Sequence, residues 1–402
     1  MISDTMHSSK KITGSKGNSL AGKFIVLALT GSVAVVKSFD LCRELMRKGA
    51  RVKVVMSDAA TKLISKEMMH YASGEEVITE LSGAIEHVQY FGIGGEADLL
   101  LVAPATANTI SKIALGIDDT PVTTFATTVI GSRKPVLVVP AMHFSMHEHP
   151  IVKENMYKLE AAGVKVIEPR IEEGKAKIAE IDGIVMEVER ELGGGKLRGK
   201  KILITAGAMQ EEIDPIRVLT NKASGRTGAE LAKEAYRLGA EKVCLLHNGE
   251  FVSGVENVKV ETNEEMERAV FAELEKGYNI FISTAAMSDF KVEKEGRKIK
   301  SGREINLKLV PREKLLEKVR EKFPELFIVG FKAETFVEDG DLEKGCREFL
   351  RERKLDLVVG NDVGRNEMGG TDNEVLIVSE DGAEKISGKK ELVAKGIFQL
   401  IG

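Results

Sequence analysis

Short apolar runs alternate with longer stretches of helical spacing along most of the chain. In the first half, the runs that predict buried strands lie at 24–29, 52–56, 98–103, 135–139 and 164–167. The helices predicted between them lie at 34–48, 58–69, 107–116 and 149–162. Strands that are apolar throughout, separated by helices, predict a parallel sheet covered by helices on both faces.

The same pattern restarts after Gly193-Gly194-Gly195, a run too flexible to belong to a packed core. Predicted strands follow at 201–205, 243–246, 279–285, 326–331 and 357–360, with helices at 227–238, 263–276, 311–323 and 341–354. A hairpin from residue 374 and a closing helix over 389–401 complete the pattern. The sequence therefore predicts an α/β fold with two doubly wound, mostly parallel-sheet domains. Their predicted bounds are 21–190 and 200–402, with a flexible tail over 1–20 and a glycine-rich linker over 191–199.

Composition narrows the class of protein. The chain has 402 residues, 43% of them apolar and 30% charged, as expected for a soluble protein with two globular domains. A net charge of −4 gives no electrostatic reason to expect nucleic acid or an anionic membrane as partner. The three cysteines are far apart and odd in number, which fits neither a disulfide framework nor a zinc cluster. Without a signal peptide or a membrane-spanning apolar run, we expect a cytoplasmic protein.

Polar residues follow the predicted strands of the first half. In doubly wound sheets, ligands bind beyond the carboxyl ends of the strands, and hydroxyl groups at helix N-termini suit a phosphate. Helix capping explains any one of these turns equally well, but four turns in register favour a ligand site. The motif Gly-x-Gly-x-x-Gly is absent, which argues against a dinucleotide and leaves a mononucleotide open. The four turns are Thr30-Gly31-Ser32, Ser57-Asp58, the segment 103–108 and the segment 140–143.

The second half also carries polar residues at its strand ends. The segment 221–226 is small, polar and basic just before a predicted helix. Asp289, Lys298 and Phe331 add a carboxylate, a cation and an aromatic ring. Together these residues offer cations for a triphosphate, a ligand for Mg²⁺ and a surface for a base. A lysine in a loop is more often simply solvated, and the same holds for the isolated His87.

Taken together, these motifs resemble those of the bifunctional flavoproteins of coenzyme A biosynthesis. In that family, phosphopantothenoylcysteine decarboxylase is fused to phosphopantothenate–cysteine ligase. The resemblance covers residues 22–401 and implies a flavodoxin-like FMN-binding decarboxylase domain followed by a Rossmann-like ligase domain. The ligase motifs, in family order, are 204–207, 213–217, 221–225, 285–290, 298–300, 330–335 and 360–363.

For the ligase domain, the resemblance implies that CTP activates the carboxylate of 4′-phosphopantothenate and that the amine of cysteine attacks the resulting acyl-cytidylate. Asn221 would stabilise the acyl-cytidylate, and Lys298 would neutralise phosphate charge. The residues expected to bind CTP are Asp289, Lys298, Pro311, Arg312, Phe331 and Lys354, with Asp289 also the candidate Mg²⁺ ligand.

For the decarboxylase domain, the resemblance implies bound FMN and a catalytic histidine. His87 matches that histidine and is the expected acid or base in the oxidation of the CH₂–SH group to a thioaldehyde, which lets the carboxylate leave as CO₂. The residues expected to bind FMN are Gly31, Ser32, Val33, Ser57, Ala105, Thr106, Ala107, Asn108 and Ala141.

The chain departs from the family pattern at three places in the decarboxylase domain. His143 replaces the asparagine of Pro-Ala-Met-Asn, and we expect this catalytic histidine to hydrogen-bond the substrate carboxylate. The flap segment 173–179 has no cysteine, and Lys177 lies closest to its position. The segment between His87 and Ala97 is also longer than usual. Because archaeal-type members look similar, we expect an active decarboxylase with a different proton donor.

Other functions stay open at this point. The first domain could be a catalytically impaired flavin-binding or partner-binding module attached to a working ligase. A flavin prenyltransferase-like activity would share its fold but would not explain the second domain, and a dehydrogenase is disfavoured by the missing dinucleotide motif. Decarboxylase trimers and ligase dimers, both implied by the resemblance, would combine into a dodecamer.

Overall fold

The computed structural model describes residues 7–302, 304–365 and 372–401. The chain divides into two compact units, Met1–Gly194 and Gly195–Gly402. The division falls inside the segment 191–199, which the sequence predicted as a linker. None of the helices that the structure describes is long and apolar enough to cross a membrane.

The first unit is built on a parallel sheet. Its strands are β1 (Phe24–Leu29), β2 (Arg51–Met56), β3 (Leu99–Ala105), β4 (Val136–Pro140), β5 (Met142–His143), β6 (Lys165–Val166), β7 (Arg170–Glu172) and β8 (Lys175–Lys177). The order β2-β1-β3-β4-β6 forms the parallel sheet, and β5-β8-β7 form a small antiparallel sheet. The helices are α1 (Ser38–Arg47), α2 (Asp58–Thr61), α3 (Lys66–Ser73), α4 (Glu86–Phe91), α5 (Ala107–Ala114), α6 (Pro121–Gly131), α7 (Phe144–His147), α8 (Pro150–Ala161) and α9 (Ile181–Leu192).

Both faces of this parallel sheet are buried. Alternate residues of β1 point to opposite faces, so Ile25 and Leu27 join one hydrophobic cluster while Val26 and Ala28 join the other. Every residue of β1 is buried. The predicted parallel sheet with helices on both faces is therefore confirmed for this unit.

Several parts of the first unit differ from the prediction. The prediction missed the helices α4, α7 and α9 and the small sheet β5-β8-β7. It also missed α6, which is rich in β-branched residues of low helix propensity. A capping box between Thr120 and Thr123 begins this helix, and burial of its apolar face stabilises it. Residues 7–20 were predicted as part of a flexible tail. Instead Ser8–Ile12 form a 3₁₀-helix, Lys10 pairs with Glu75 at 2.8 Å, and these residues belong to the folded unit.

The second unit is built on a larger mixed sheet. Its strands are β9 (Lys201–Ala206), β10 (Gln210–Glu212), β11 (Val218–Thr220), β12 (Lys242–His247), β13 (Glu256–Lys259), β14 (Ile280–Ser283), β15 (Phe290–Val292), β16 (Leu309–Pro311), β17 (Phe327–Glu334), β18 (Leu357–Asp362), β19 (Asp372–Val378) and β20 (Ala383–Lys389). Its helices are α10 (Arg226–Arg237), α11 (Asn263–Leu274), α12 (Leu315–Lys322), α13 (Asp339–Arg353) and α14 (Lys390–Leu400).

The strand order of the larger sheet is β13-β12-β9-β14-β17-β18-β19-β20. The strands from β13 to β18 are parallel, and the hairpin β19–β20 adds two antiparallel strands. From β9 the chain continues to one side through α10 and β12, then returns to the other side through α11 and β14. The strand order therefore reverses between β9 and β14, and doubly wound folds bind ligands at such a reversal.

Two candidate functional sites

The residues predicted to hold FMN collect at one edge of the first sheet. Gly31 and Ser32 follow β1, and Ser57 follows β2. The segment 105–108 spans the junction of β3 and α5, and Ala141 follows β4. Since these strands are parallel neighbours, all of their carboxyl ends lie at the same edge. The tertiary structure thus places residues up to 110 positions apart in the sequence at one edge.

Three hydroxyl groups at this edge cap helices. Ser57 caps α2, Thr106 caps α5, and Ser32 caps a short 3₁₀-helix, Val33–Lys37, that leads into α1. Each hydroxyl accepts a hydrogen bond from a backbone N–H in the first turn of its helix, at distances between 3.2 and 3.4 Å. An accepting hydroxyl keeps its own proton, which it can donate to a phosphate oxygen. Helix capping and phosphate binding are therefore compatible roles for these residues.

Thr30 holds the edge together and was not among the predicted site residues. Its buried hydroxyl donates to the carbonyl of Pro104 at 2.7 Å and accepts from the N–H of Thr106 at 3.1 Å. These bonds tie the turn after β1 to the turn after β3. In the sequence, Thr30 could have been recognised from its position in the predicted Thr-Gly-Ser turn.

His87 lies in the first turn of α4. Ile85, the residue that precedes this helix, has a φ of 48°, which is unusual for a β-branched residue. The His87 Nδ1 atom is buried and has no hydrogen-bond partner among the described residues. Such atoms are rare in folded proteins and mark groups that a ligand can satisfy.

The structure does not bring His87 to the edge that carries the predicted FMN residues. Tyr90 of the same helix packs edge-on against Phe24 at 5.5 Å between ring centroids. Phe24 is the first residue of β1 and lies at the opposite end of that strand from Gly31. In one copy of the chain, α4 is thus anchored at the amino end of the sheet.

His143 lies beside the predicted flap. It forms a register pair with Lys175 of β8, and the β7–β8 hairpin turns at Glu173 and Gly174. Lys177 pairs with Glu173 at 2.7 Å and with Glu172 at 3.3 Å, and hydrogen bonds to these carboxylates raise the pKa of Lys177. A raised pKa makes the ammonium a weaker acid, so this geometry disfavours Lys177 as the replacement proton donor.

The second unit has a cleft of ≈ 190 Å³ at the carboxyl edge of its large sheet. The cleft lies where β9, β14, β17 and β18 end and where α10 and α14 begin. The described residues that line it are Lys222, Ala223, Ser224, Gly225, Arg226, Thr227, Gly228, Thr284, Ala285, Ala286, Phe331, Lys332, Ala333, Asn361, Val363, Asp372, Asn373 and Lys390.

Glycines bring the first turn of α10 directly against the end of β9. Gly225 precedes the helix with a φ of 73°. A Cβ added at Gly228 would lie 2.5 Å from the Cβ of Ala206 and 2.7 Å from the Oγ1 of Thr284. Both positions must therefore be glycine for the first turn of α10 to lie this close to the end of β9. The N-terminus of a helix of this length favours an anionic ligand.

One predicted residue, Phe331, lines this cleft, and a second, Asn221, precedes the lining residue Lys222 in the chain. The Asn221 side-chain amide donates to the carbonyls of Ala286 and Met287, both at 3.2 Å, which holds the segment before α10 against the turn after β14. Phe331 lines the cleft from β17.

Three other predicted residues are engaged elsewhere. Asp289 is exposed and forms an ion pair with Lys314. Pro311 is an exposed residue of β16, outside the cleft lining. Arg312 is buried and forms an ion pair with Glu211. This ion pair gives Arg312 a structural role, and its predicted contact with CTP stays a prediction.

Lys354 does not line the cleft. It ends α13 in a left-handed conformation with a φ of 50°, shortly before β18 begins at Leu357. The cleft lies at the other end of β18, where it includes Asn361. Because α13 leads into the amino end of a parallel strand, Lys354 must lie at the opposite edge of the sheet.

Asp214 positions the loop that contains Lys298, although it was not predicted as a site residue. Its buried carboxylate accepts hydrogen bonds from the N–H groups of Ile216, Arg217 and Ile299, at 2.8, 2.9 and 3.1 Å, and pairs with the Arg217 guanidinium at 2.5 Å. Burial alone would raise the pKa of Asp214, but these hydrogen bonds outweigh burial and lower it to about 2. Lys298 itself is exposed and precedes Ile299 in the anchored loop.

These features define a class of protein: a doubly wound unit with capping hydroxyls along the carboxyl edge of its sheet, followed by a doubly wound unit whose cleft contains a helix N-terminus and basic side chains. Two family models match the same two parts of the chain. One is described as "Flavoprotein" and matches residues 13–193. The other is described as "DNA/pantothenate metabolism flavoprotein C-terminal domain" and matches residues 197–402.

Full-length relatives share both units. A protein of Thermococcus kodakarensis named "Coenzyme A biosynthesis bifunctional protein CoaBC" is 48% identical over 385 residues, which cover 95% of each chain. Proteins of the same name are 38% identical in Methanocaldococcus jannaschii, over 100% of this chain and 98% of that one, and 34% identical in Bacillus subtilis, over 91% and 93%. The chain belongs to the family of coenzyme A biosynthesis bifunctional proteins, which confirms the resemblance inferred from its motifs.

Proposed function

We propose that the chain catalyses two consecutive steps of coenzyme A synthesis. The second unit joins cysteine to 4′-phosphopantothenate at the expense of CTP, and the first unit decarboxylates the product to 4′-phosphopantetheine. The observation that carries this proposal is the match to bifunctional relatives across both units, each of which has its candidate site at the carboxyl edge of its sheet.

In the proposed ligation, a carboxylate oxygen of phosphopantothenate attacks the α-phosphorus of CTP. The bond from that phosphorus to the bridging oxygen breaks, and pyrophosphate leaves with the electron pair. The cysteine amine then attacks the acyl carbon, CMP leaves, and the nitrogen loses a proton. The N-terminus of α10 would hold phosphate oxygens, and Asn221 would stabilise the acyl-cytidylate. Lys298 would neutralise phosphate charge.

The residues at the edge of the first sheet fit the phosphate and ring of FMN. Glycine at position 31 lets the turn after β1 approach α2, since a Cβ there would lie 2.5 Å from the Cβ of Ala59. The hydroxyls of Ser32, Ser57 and Thr106 can donate to phosphate oxygens. Bound FMN supplies an electron acceptor for oxidation of the CH₂–SH group and returns the electrons after CO₂ has left. His87 would move a proton during that oxidation, and His143 would hydrogen-bond the substrate carboxylate.

A second copy of the chain would complete the decarboxylase site. His87 and the FMN residues lie at different ends of the sheet in one copy, so a neighbouring copy is needed to bring them together. Val33 and Val36, beside the FMN edge, are 77% and 60% exposed, and burying such side chains favours association. The trimers, dimers and dodecamer inferred from the sequence remain part of this proposal. Mg²⁺ is also part of this proposal, and we expect it to bind together with the phosphates of CTP.

A coupled assay tests the proposal. The purified protein is incubated with CTP, Mg²⁺, 4′-phosphopantothenate and cysteine, and the products are identified by mass. Appearance of 4′-phosphopantetheine is expected if both units are active. Accumulation of phosphopantothenoylcysteine would instead support a working ligase joined to an impaired flavin-binding module. Failure to consume CTP would contradict the ligase assignment.

Replacing Gly31 with alanine is expected to weaken FMN binding. The new Cβ would lie 2.5 Å from the Cβ of Ala59, so the turn after β1 and α2 must move apart. Overpacking of this kind destabilises the fold by about 1–3 kcal/mol. A loss of the same size in the free energy of FMN binding, through displacement of the turn, would lower the affinity about five- to 150-fold. The bound flavin is measured by visible absorbance after gel filtration. Gly83→Ala is the control, since a Cβ there meets nothing within 4 Å. Equal flavin content in both variants would remove Gly31 from the FMN site.

A further inference from the structure

Positive charge accumulates at one end of the cleft in the second unit. Of the described residues that line it, Lys222, Arg226, Lys332 and Lys390 are basic and Asp372 is acidic. Lys332 has its own ion-pair partner, Glu334, at 2.8 Å. Lys390 lies beside Arg226 near the N-terminus of α10.

No carboxylate among the described residues lies within ion-pairing distance of the Lys390 ammonium. Glu230, the acidic group that faces it, instead pairs with Lys233 at 2.8 Å. Burial and the charge of Arg226 lower the pKa of Lys390. Two cations held together in a partly buried position repel each other, and a bound anion would relieve that repulsion.

Two helix N-termini add to this positive potential. Lys390 is the first residue of α14, and α14 packs against α10. The N-cap residue of α10 is Gly225, which has no side chain, and the side chain of Lys389, the N-cap residue of α14, makes no capping hydrogen bond. The first-turn N–H groups of both helices therefore lack this common partner, which a phosphate oxygen could replace.

Asn373 provides an independent sign of a missing ligand. It lines the same cleft and is only 7% exposed, yet its Oδ1 atom has no hydrogen-bond partner in the described part of the chain. Exchanging the oxygen and nitrogen of this amide would leave a buried N–H group unpaired instead. Either orientation leaves a polar atom that a ligand, or water bound with it, can satisfy.

We propose that Lys390 and Asn373 form the subsite for the two terminal phosphates of the nucleoside triphosphate and retain the departing pyrophosphate. The inference rests on the proposed ligase function and adds a positioning role for the C-terminal hairpin and helix. When the α-phosphorus loses its bond to the bridging oxygen, negative charge grows on that oxygen and on the β-phosphate. An ammonium placed at those phosphates stabilises this charge more in the transition state than in bound CTP.

The test compares three ligands in the full-length protein. Lys390→Gln is expected to raise the KM for CTP and the inhibition constant of pyrophosphate by about ten- to hundredfold, as for loss of a charged hydrogen bond. The inhibition constant of CMP, which lacks the terminal phosphates, is expected to stay unchanged. Lys395→Gln is the matched control, because Lys395 lies in the same helix and pairs with Glu391 at 3.0 Å.

Several outcomes would overturn the inference. One is a Lys390→Gln variant whose inhibition constant for pyrophosphate equals the wild-type value. Another is a variant that binds CMP and pyrophosphate more weakly by the same factor. If Lys390→Gln does not fold, as judged by its thermal unfolding, Lys390→Met keeps the apolar part of the side chain and provides the same comparison. Failure of the wild-type protein to consume CTP would instead contradict the proposed ligase function.

Discussion

Replacing His87 with glutamine is expected to slow decarboxylation by about 10²–10⁴-fold, the usual contribution of a general acid or base. Glutamine can still form hydrogen bonds but cannot take up and release a proton near neutral pH. The ligation should continue at the wild-type rate, because it takes place in the other unit. The measurement is the rate of CO₂ release from supplied phosphopantothenoylcysteine.

The matched control is His70→Gln, in α3 of the same unit. The His70 ring is exposed and contacts the backbone carbonyl of Glu75 at 2.8 Å, and no role is assigned to it in either reaction. Flavin content must be equal in both variants, so that a slower rate reports chemistry and not FMN loss. Wild-type CO₂ release by the His87 variant would exclude His87 as the acid or base.

Replacing Asp214 with asparagine is expected to lower the rate of ligation by about ten- to hundredfold. The Arg217 guanidinium loses its charged partner, and the N–H group of Ile299 loses a strong acceptor. Each hydrogen bond to a charged group contributes about 1.5–3 kcal/mol. The loop that carries Lys298 is thereby released, although Lys298 itself is unchanged.

Decarboxylation of supplied phosphopantothenoylcysteine should be unaffected in the Asp214 variant. Asp381→Asn in the β19–β20 turn is the control, because it removes an exposed carboxylate from the same unit. Ligation at the wild-type rate in the Asp214 variant would show that the anchored loop plays no part in the reaction.

The lowered pKa of Asp214 also predicts how the stability of the folded chain depends on pH. Its pKa of about 2 in the folded chain lies below its ordinary value of 3.8. A lowered pKa means that the carboxylate contributes stability above pH ~4 and that this contribution disappears as the pH falls towards ~2. The unfolding temperatures of the wild type and the Asp214→Asn variant are measured at several pH values between ~2 and ~4. The difference between the two temperatures should become smaller as the pH falls. A constant difference would contradict this role.

The sequence by itself determined most strands of the two large sheets and the restart of the pattern after Gly195, whereas it missed the helices α4, α6, α7 and α9. Near-continuous apolar strands must be buried on both faces, and glycine-ended strands lead into turns, so both predictions follow from local composition. The motifs also singled out Phe331, which lines the cleft, and Asn221, which donates to the carbonyl of the lining residue Ala286. In each case, the needed information lies within a few neighbouring residues.

Only the tertiary structure decided which side chains share a site and which are engaged elsewhere. Arg312 pairs with Glu211, about a hundred positions away, and Lys354 falls at the opposite edge of the sheet from the cleft. Lys390 lies beside Arg226 because α14 returns from the end of the chain to pack against α10. Ion pairs and shared pockets depend on distances in space, and the folding of the whole sheet sets those distances for residues far apart in the sequence.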